Sequence, residues 1–125
     1  MSELWSLILL LMVALLGVIG IWWINREHSR KPSVEENYLK GLEAMVEGRW
    51  KDAVKNFLET IRVDTSHIEA YLRLGEALRK LGKLQKTLQI HKELANRNDL
   101  PKATKNRVIQ ELALDWEQMG EISKA

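Results

Sequence analysis

The chain has 125 residues, no cysteine and a formal net charge of +2. This length accommodates one small domain, and the lack of cysteine excludes a disulfide framework, a Cys-ligated zinc site and an iron–sulfur site. The small net charge and the lack of RNA-binding or helix-turn-helix signatures argue against a nucleic-acid-binding protein.

The first element is an uncharged segment that runs from Leu4 to Ile24. At about 1.5 Å of rise per residue it forms a helix of roughly 31 Å, which matches the hydrocarbon core of a bilayer. Indole rings favour the two headgroup layers, and tryptophans lie near both ends of the segment: Trp5, Trp22 and Trp23. We therefore expect a transmembrane anchor at residues 1–25.

A short basic linker, residues 26–33, follows the anchor and contains Arg26, Arg30 and Lys31. The positive-inside bias keeps such residues on the cytoplasmic side, so the amino terminus is expected outside and the remaining chain in the cytoplasm. The alternative is a cleaved signal peptide that releases a periplasmic repeat protein. Signal peptides carry positive charge before the apolar segment, whereas Glu3 is the charged side chain found there.

The next two segments are repeats of one another, since the spacing from Gly41 to Gly75 equals the spacing from Gly48 to Gly82. Each segment is predicted to form a helix, a tight turn and a second helix. Gly48 and Gly82 suit the left-handed conformation that ends a helix. Gly41 and Gly75 lie inside a helical pattern, where glycine is unfavourable, and this indicates a close approach of two helices.

The spacing of serine and glutamate in "SVEE" and "SHIE" predicts a capping box at Ser33 and at Ser66. A helix-turn-helix unit that recurs every ~34 residues resembles the tetratricopeptide repeat. That resemblance puts Phe57 in the gap beside the first helix crossing. In the second unit, Thr87 stands where alanine is usual and His91 where a large apolar residue is usual.

A third, incomplete unit is expected in "ELALDWEQMGEISKA", with Ala113 at the small position and Gly120 at the turn. Pro101 marks the preceding helix start. Two explanations of the incomplete unit are open: the chain is truncated, or the helix at 108–119 forms a polar cap, with Asp115 on its polar side. The predicted fold is all-α: an anchor followed by a tetratricopeptide-like domain at 34–125, with units at about 34–67, 68–101 and 106–125.

No catalytic, cofactor-binding or metal-binding arrangement is found in the sequence, and we expect no enzyme activity. The three histidines, His28, His67 and His91, lack the spacing of a helical metal site. His91 is interpreted as a packing residue with a satisfied ring nitrogen.

Binding of protein partners is the positive expectation, because stacked repeats form an inner wall from their first helices. The repeat register assigns to this groove Tyr38, Leu42, Met45, Leu72, Glu76, Arg79 and Lys80. The alternative is that the apolar members pack against the next repeat, since aliphatic stripes at helical spacing are common in protein cores.

The order of anchor, basic linker and first repeat "NYLKGLEAMVEGRWKDAVKNFLETI" is similar to the start of the lipopolysaccharide assembly protein B family. The second unit, with "QIHKEL", resembles that family too. The resemblance implies a single-pass scaffold of the bacterial inner membrane with cytoplasmic repeats. It also implies recruitment of a membrane AAA protease to the deacetylase that commits carbon to lipid A.

One departure restricts this resemblance to the amino-terminal part of the family. Its members continue to a rubredoxin-like metal module that contains cysteine, and this chain has none. A structural scaffold that assembles another membrane complex therefore stays open as an alternative function.

Overall fold

The computed structural model describes the backbone of residues 1–28 and 30–124 and the side chains of residues 1–27 and 30–121. Within these residues the regular structure is entirely helical, which confirms the all-α prediction. The helices are α1 (Ser2–His28), α2 (Val34–Val46), α3 (Trp50–Val63), α4 (Ile68–Lys80), α5 (Leu84–Ala95) and α6 (Lys102–Lys124). The chain divides into two compact units, Met1–Pro32 and Ser33–Ala125.

The first unit contains α1, whose stretch Ser2–Glu27 is long and apolar enough to cross a membrane. A signal sequence near the amino terminus meets the same criterion. The helix continues past residue 25, where the anchor was expected to end. In this last turn the Arg26 guanidinium lies 5.1 Å from the ring centroid of Trp22, at the distance of a cation–π interaction.

The second unit begins with a capped helix. The Ser33 hydroxyl accepts a hydrogen bond from the Glu36 backbone N–H at 3.2 Å, and the Glu36 carboxylate accepts one from the Ser33 N–H at 3.1 Å. This reciprocal pair confirms the predicted capping box. The turns after α2 and α4 also follow the prediction, because Gly48 and Gly82 have φ angles of 73° and 77°.

The predicted capping box at Ser66 is wrong. Asp64 Oδ1 accepts hydrogen bonds from both the Ser66 backbone N–H, at 3.0 Å, and the Ser66 hydroxyl, at 2.6 Å. This local turn uses the serine side chain, so α4 begins one residue later. His67 is the cap, and its Nδ1 accepts a hydrogen bond from the Ala70 N–H at 3.1 Å.

Each helical pair is held by a close crossing at a glycine. A Cβ atom on Gly41 would lie 2.5 Å from Cε1 of Phe57, a side chain that is fully buried. A Cβ atom on Gly75 would overlap Nε2 of His91 in the same way. The predicted close approach is therefore confirmed at both positions.

Successive helices pack in chain order, each against the next, from α2 to α6. Two buried apolar clusters lie between them. The first joins α2, α3 and α4 and consists of Ala44, Ala53, Phe57, Leu74, Ala77 and Leu78. The second joins α4, α5 and α6 and consists of Leu72, Leu94 and Val108.

The last helix differs from the sequence prediction. It begins directly after Pro101, runs without interruption to Lys124 and includes Gly120, so the predicted turn at this glycine is wrong. At Gly82 the turn interrupts helical hydrogen bonding, and the packing of α5 on α4 offsets that loss. Gly120 instead lies inside α6, where helical backbone hydrogen bonding continues past it.

We predict that Gly41→Ala lowers the free energy of unfolding by about 1–3 kcal/mol, because the added methyl overpacks against the fully buried Phe57 ring. Urea unfolding of the full chain in detergent micelles, followed by circular dichroism, measures the change. Gly120→Ala is the matched control, since its Cβ would meet no atom within 4 Å. This control should leave stability equal or raise it by up to about 1 kcal/mol. Equal losses in both variants would contradict the close crossing.

Candidate functional site

The groove residues predicted in the first repeat lie on α2 and are half-buried. Tyr38, Leu42 and Met45 pack against the first apolar cluster. The Tyr38 ring centroid lies 5.8 Å from that of Phe57 and 4.6 Å from that of His67. One side of each of these side chains therefore packs in the core, and the other side is accessible at the surface.

The groove residues of the second repeat fall into two groups, and the first group is accessible. Glu76 is half-buried and its carboxylate accepts a hydrogen bond from Arg73 Nη1 at 3.1 Å. Lys80 is exposed, and its ammonium lies 5.8 Å from the ring centroid of Trp50 on α3. The accessible face thus offers one carboxylate and one ammonium next to apolar surface.

Leu72 and Arg79 form the second group, and the structure corrects their assignment. Leu72 is only 3% exposed, because α6 covers it and places Val108 in the same cluster. The Arg79 side chain is 13% exposed and pairs with two carboxylates of α6, Glu111 at 3.0 Å and Asp115 at 3.2 Å. Docking of α6 therefore removes both residues from the predicted groove.

Arg79 carries its charge in a partly desolvated place. Burial opposes the charged form, but hydrogen bonds and coulombic attraction from Glu111 and Asp115 outweigh it and raise the pKa of the guanidinium above its ordinary value. The side chain is thus a permanent cation between α4 and α6.

Asp115 is fully buried, so its predicted place on the polar side of the cap is wrong. One carboxylate oxygen accepts from Arg79, and the other lies within hydrogen-bond distance of Nδ1 of His91, which is also fully buried. We call Arg79, His91 and Asp115 the buried polar cluster. The expected satisfied ring nitrogen of His91 is Nδ1, whereas its Nε2 is buried and has no hydrogen-bond partner among the described residues.

The two residues at which the second repeat departs from the tetratricopeptide pattern, Thr87 and His91, both make polar contacts. The Thr87 hydroxyl donates to the Gly75 or the Lys83 carbonyl oxygen, at 3.2 and 3.1 Å. Thr87 and His91 are polar residues at positions that are usually apolar. This was the signal in the sequence for a polar contact here.

The predicted membrane-interface residues belong to the other unit. Trp5, Trp22 and Trp23 are exposed along α1, and Arg30 and Lys31 are exposed after it. The arrangement places indole rings near both ends of the apolar segment and cations at its carboxyl end.

No protein-family model matches the chain. It is similar to lipopolysaccharide assembly protein B of Escherichia coli, in strain K12, in strain O6:H1 and in O157:H7. Each is 26% identical over 110 residues, which cover 83% of this chain and 28% of the relative. The chain therefore spans less than a third of the length of these relatives. This similarity agrees with the resemblance that the sequence indicated, for the amino-terminal part.

We predict that Leu72→Ala lowers the free energy of unfolding by about 2–5 kcal/mol, because it leaves a cavity between α4 and α6. Leu39→Ala is the control on a first helix, since Leu39 is 61% exposed and should change stability by less than about 0.5 kcal/mol. Urea unfolding in micelles compares the two variants. A loss below about 1 kcal/mol for Leu72→Ala would contradict its burial by α6 and return it to the groove.

Proposed function

We propose that the protein is a membrane-anchored scaffold whose cytoplasmic helical repeats bind proteins in lipopolysaccharide assembly. The similarity to lipopolysaccharide assembly protein B carries this proposal. It covers 83% of the chain, which is a larger share than the repeat domain at 34–125 occupies. The anchor is α1, and the location is the bacterial inner membrane.

The anchor follows from the solvation of α1. Its large apolar side chains are exposed from Leu4 to Ile24, and burial of such surface in lipid is favourable by about 25 cal/mol per Å². Apart from the groups at its two ends, the backbone N–H and C=O groups of a helix pair within it, as a hydrocarbon environment requires. The cations after the helix favour a cytoplasmic carboxyl-terminal domain.

The binding surface that we propose is the accessible part of the predicted groove: Tyr38, Leu42, Met45, Glu76 and Lys80. Its supports are the tetratricopeptide-like register, the partial exposure of the apolar side chains, and two charged groups beside them. A partner segment with apolar side chains and a carboxylate that meets Lys80 would be complementary to it. Anchoring adds to affinity, because a partner in the same membrane meets the groove at a raised effective concentration.

The finer function that we propose is recruitment of a membrane AAA protease to the lipid A deacetylase. In this role the repeats hold one protein while the anchor keeps the complex at the membrane. The enzyme chemistry then belongs to the partners and the protein supplies proximity.

The orientation is tested with reporters fused after residue 125. We expect a fused green fluorescent protein to be bright and a fused alkaline phosphatase to be inactive, because the carboxyl terminus stays in the cytoplasm. When Arg26, Arg30 and Lys31 are replaced by glutamate, part of the population should insert in the opposite orientation, and the phosphatase activity should rise. An active phosphatase on the unaltered chain, or a mature protein that begins after Gly20, would establish the periplasmic alternative instead.

The partners are tested by isolation of the full chain from membranes. The protease and the deacetylase should co-purify, and Lys80→Glu should lower their recovery about tenfold, which corresponds to ~1.4 kcal/mol of binding free energy. Lys51→Glu is the control, because Lys51 is an exposed lysine of α3 outside the groove. Recovery of neither enzyme would refute the recruiting role. A photo-crosslinker at residue 80 that then traps other membrane proteins would support the structural scaffold.

A further inference from the structure

The two junctions between repeats use equivalent positions of the chain. α4 places Ala77 in the apolar cluster with the first repeat, and Ala70 lies two turns earlier on the same face; both are fully buried. The equivalent positions of α6 hold Val108 and Asp115, which have the same spacing and are fully buried as well. α6 therefore docks on the second repeat with the same face that α4 uses on the first.

The surfaces that receive these helices differ in chemistry. At the first junction Phe57 shares a buried apolar cluster with Ala77. At the second, His91 occupies the position that corresponds to Phe57 in the repeat register, and its contact is Asp115. An apolar pair at one junction is thus replaced by a polar pair at the other, with Arg79 as a second partner of the carboxylate.

The other contacts of α6 are less selective. Glu111 also pairs with Arg79, at 3.0 Å, but its side chain is 26% exposed, so water can replace part of this contact. The cluster of Leu72, Leu94 and Val108 is apolar, and exchanges between apolar side chains of similar volume usually cost little in such a core. At the surface Lys92 lies 4.9 Å from the Trp116 ring centroid, and Arg107 pairs with Glu69, each at a solvated edge. Discrimination between helices must come from the buried polar cluster.

We propose that the outer face of α4 and α5 is a docking surface selective for a helix that carries a carboxylate at the position of Asp115. α6 is its occupant within the chain. A helix from another molecule can take this place only with a carboxylate in the same register.

The selectivity arises from the cost of mismatched pairs. α4 of a second copy would place Ala77 against this surface and leave the Arg79 cation and the His91 ring facing no carboxylate. α6 on the first repeat would bury the Asp115 carboxylate against the Phe57 ring, without a cation. Buried ionic groups that lose a partner are strongly disfavoured, whereas the complete cluster is satisfied at both carboxylate oxygens. The cluster therefore favours α6 over α4 at this junction, and this inference does not depend on the proposed function.

Exchange in trans tests the proposal directly. In the full chain with Asp115→Ala, α6 should detach and free the surface. Fluorescent peptides of residues 102–124 are then added to this chain in micelles, and anisotropy is measured. The unaltered peptide should bind at least tenfold more tightly than peptides with Asp115→Ala or Asp115→Asn. Binding within twofold for all three peptides would overturn the proposal.

Hydrogen exchange on full chains decides the matter even if no peptide binds. α6 amides should lose protection at least tenfold in Asp115→Ala and in His91→Phe, which are mismatches. The double variant should regain most of this protection, because it gives the second junction the same pairing of phenylalanine and alanine that Phe57 and Ala77 make at the first. The new phenylalanine would pack on Gly75 as Phe57 packs on Gly41. Protection of α2 and α3 is the internal control. Equal protection in all four chains, or additive losses in the double variant, would overturn the proposal.

Discussion

The repeat domain depends on two helix crossings at which a Cβ atom is missing. At Gly41 and Gly75 the first helix of each pair comes so close to a buried ring that any larger residue would overlap it. This proximity lets Phe57 and His91 fill the space between successive pairs, so one glycine determines both the packing within a pair and the surface offered to the next. Because the interior is close-packed, a small change of side-chain volume at these two glycines disturbs the packing of all the stacked helix pairs.

Much of this architecture could be predicted, because it depends on local and periodic signals. The regular spacing of glycines located both helical pairs, and the left-handed turns at Gly48 and Gly82 follow from the need for positive φ. The cap at Ser33 was predicted correctly, since its hydroxyl accepts from the Glu36 N–H as the motif requires. At Ser66 the same pattern failed, because Asp64 binds that serine first.

The candidate site was less predictable, because its composition depends on what α6 covers. Helical register alone places Leu72 and Arg79 beside Glu76 and Lys80, yet the docked helix buries the first two and leaves the others accessible. Asp115 could not be distinguished from its exposed neighbours Glu117 and Gln118 by charge pattern. Its partners are 24 and 36 residues away in sequence, a separation that no short motif reports.

The buried contact between His91 and Asp115 has a further consequence for how this sequence can change over generations. His91 and Asp115 each lose a buried partner when the other is replaced, although Arg79 keeps Glu111. A lineage that exchanges this contact for an apolar one must therefore pass through a weakened intermediate. Such positions drift as a set. Surface residues such as Lys51 and Leu39 are free of that coupling, and divergence between descendants would accumulate there first.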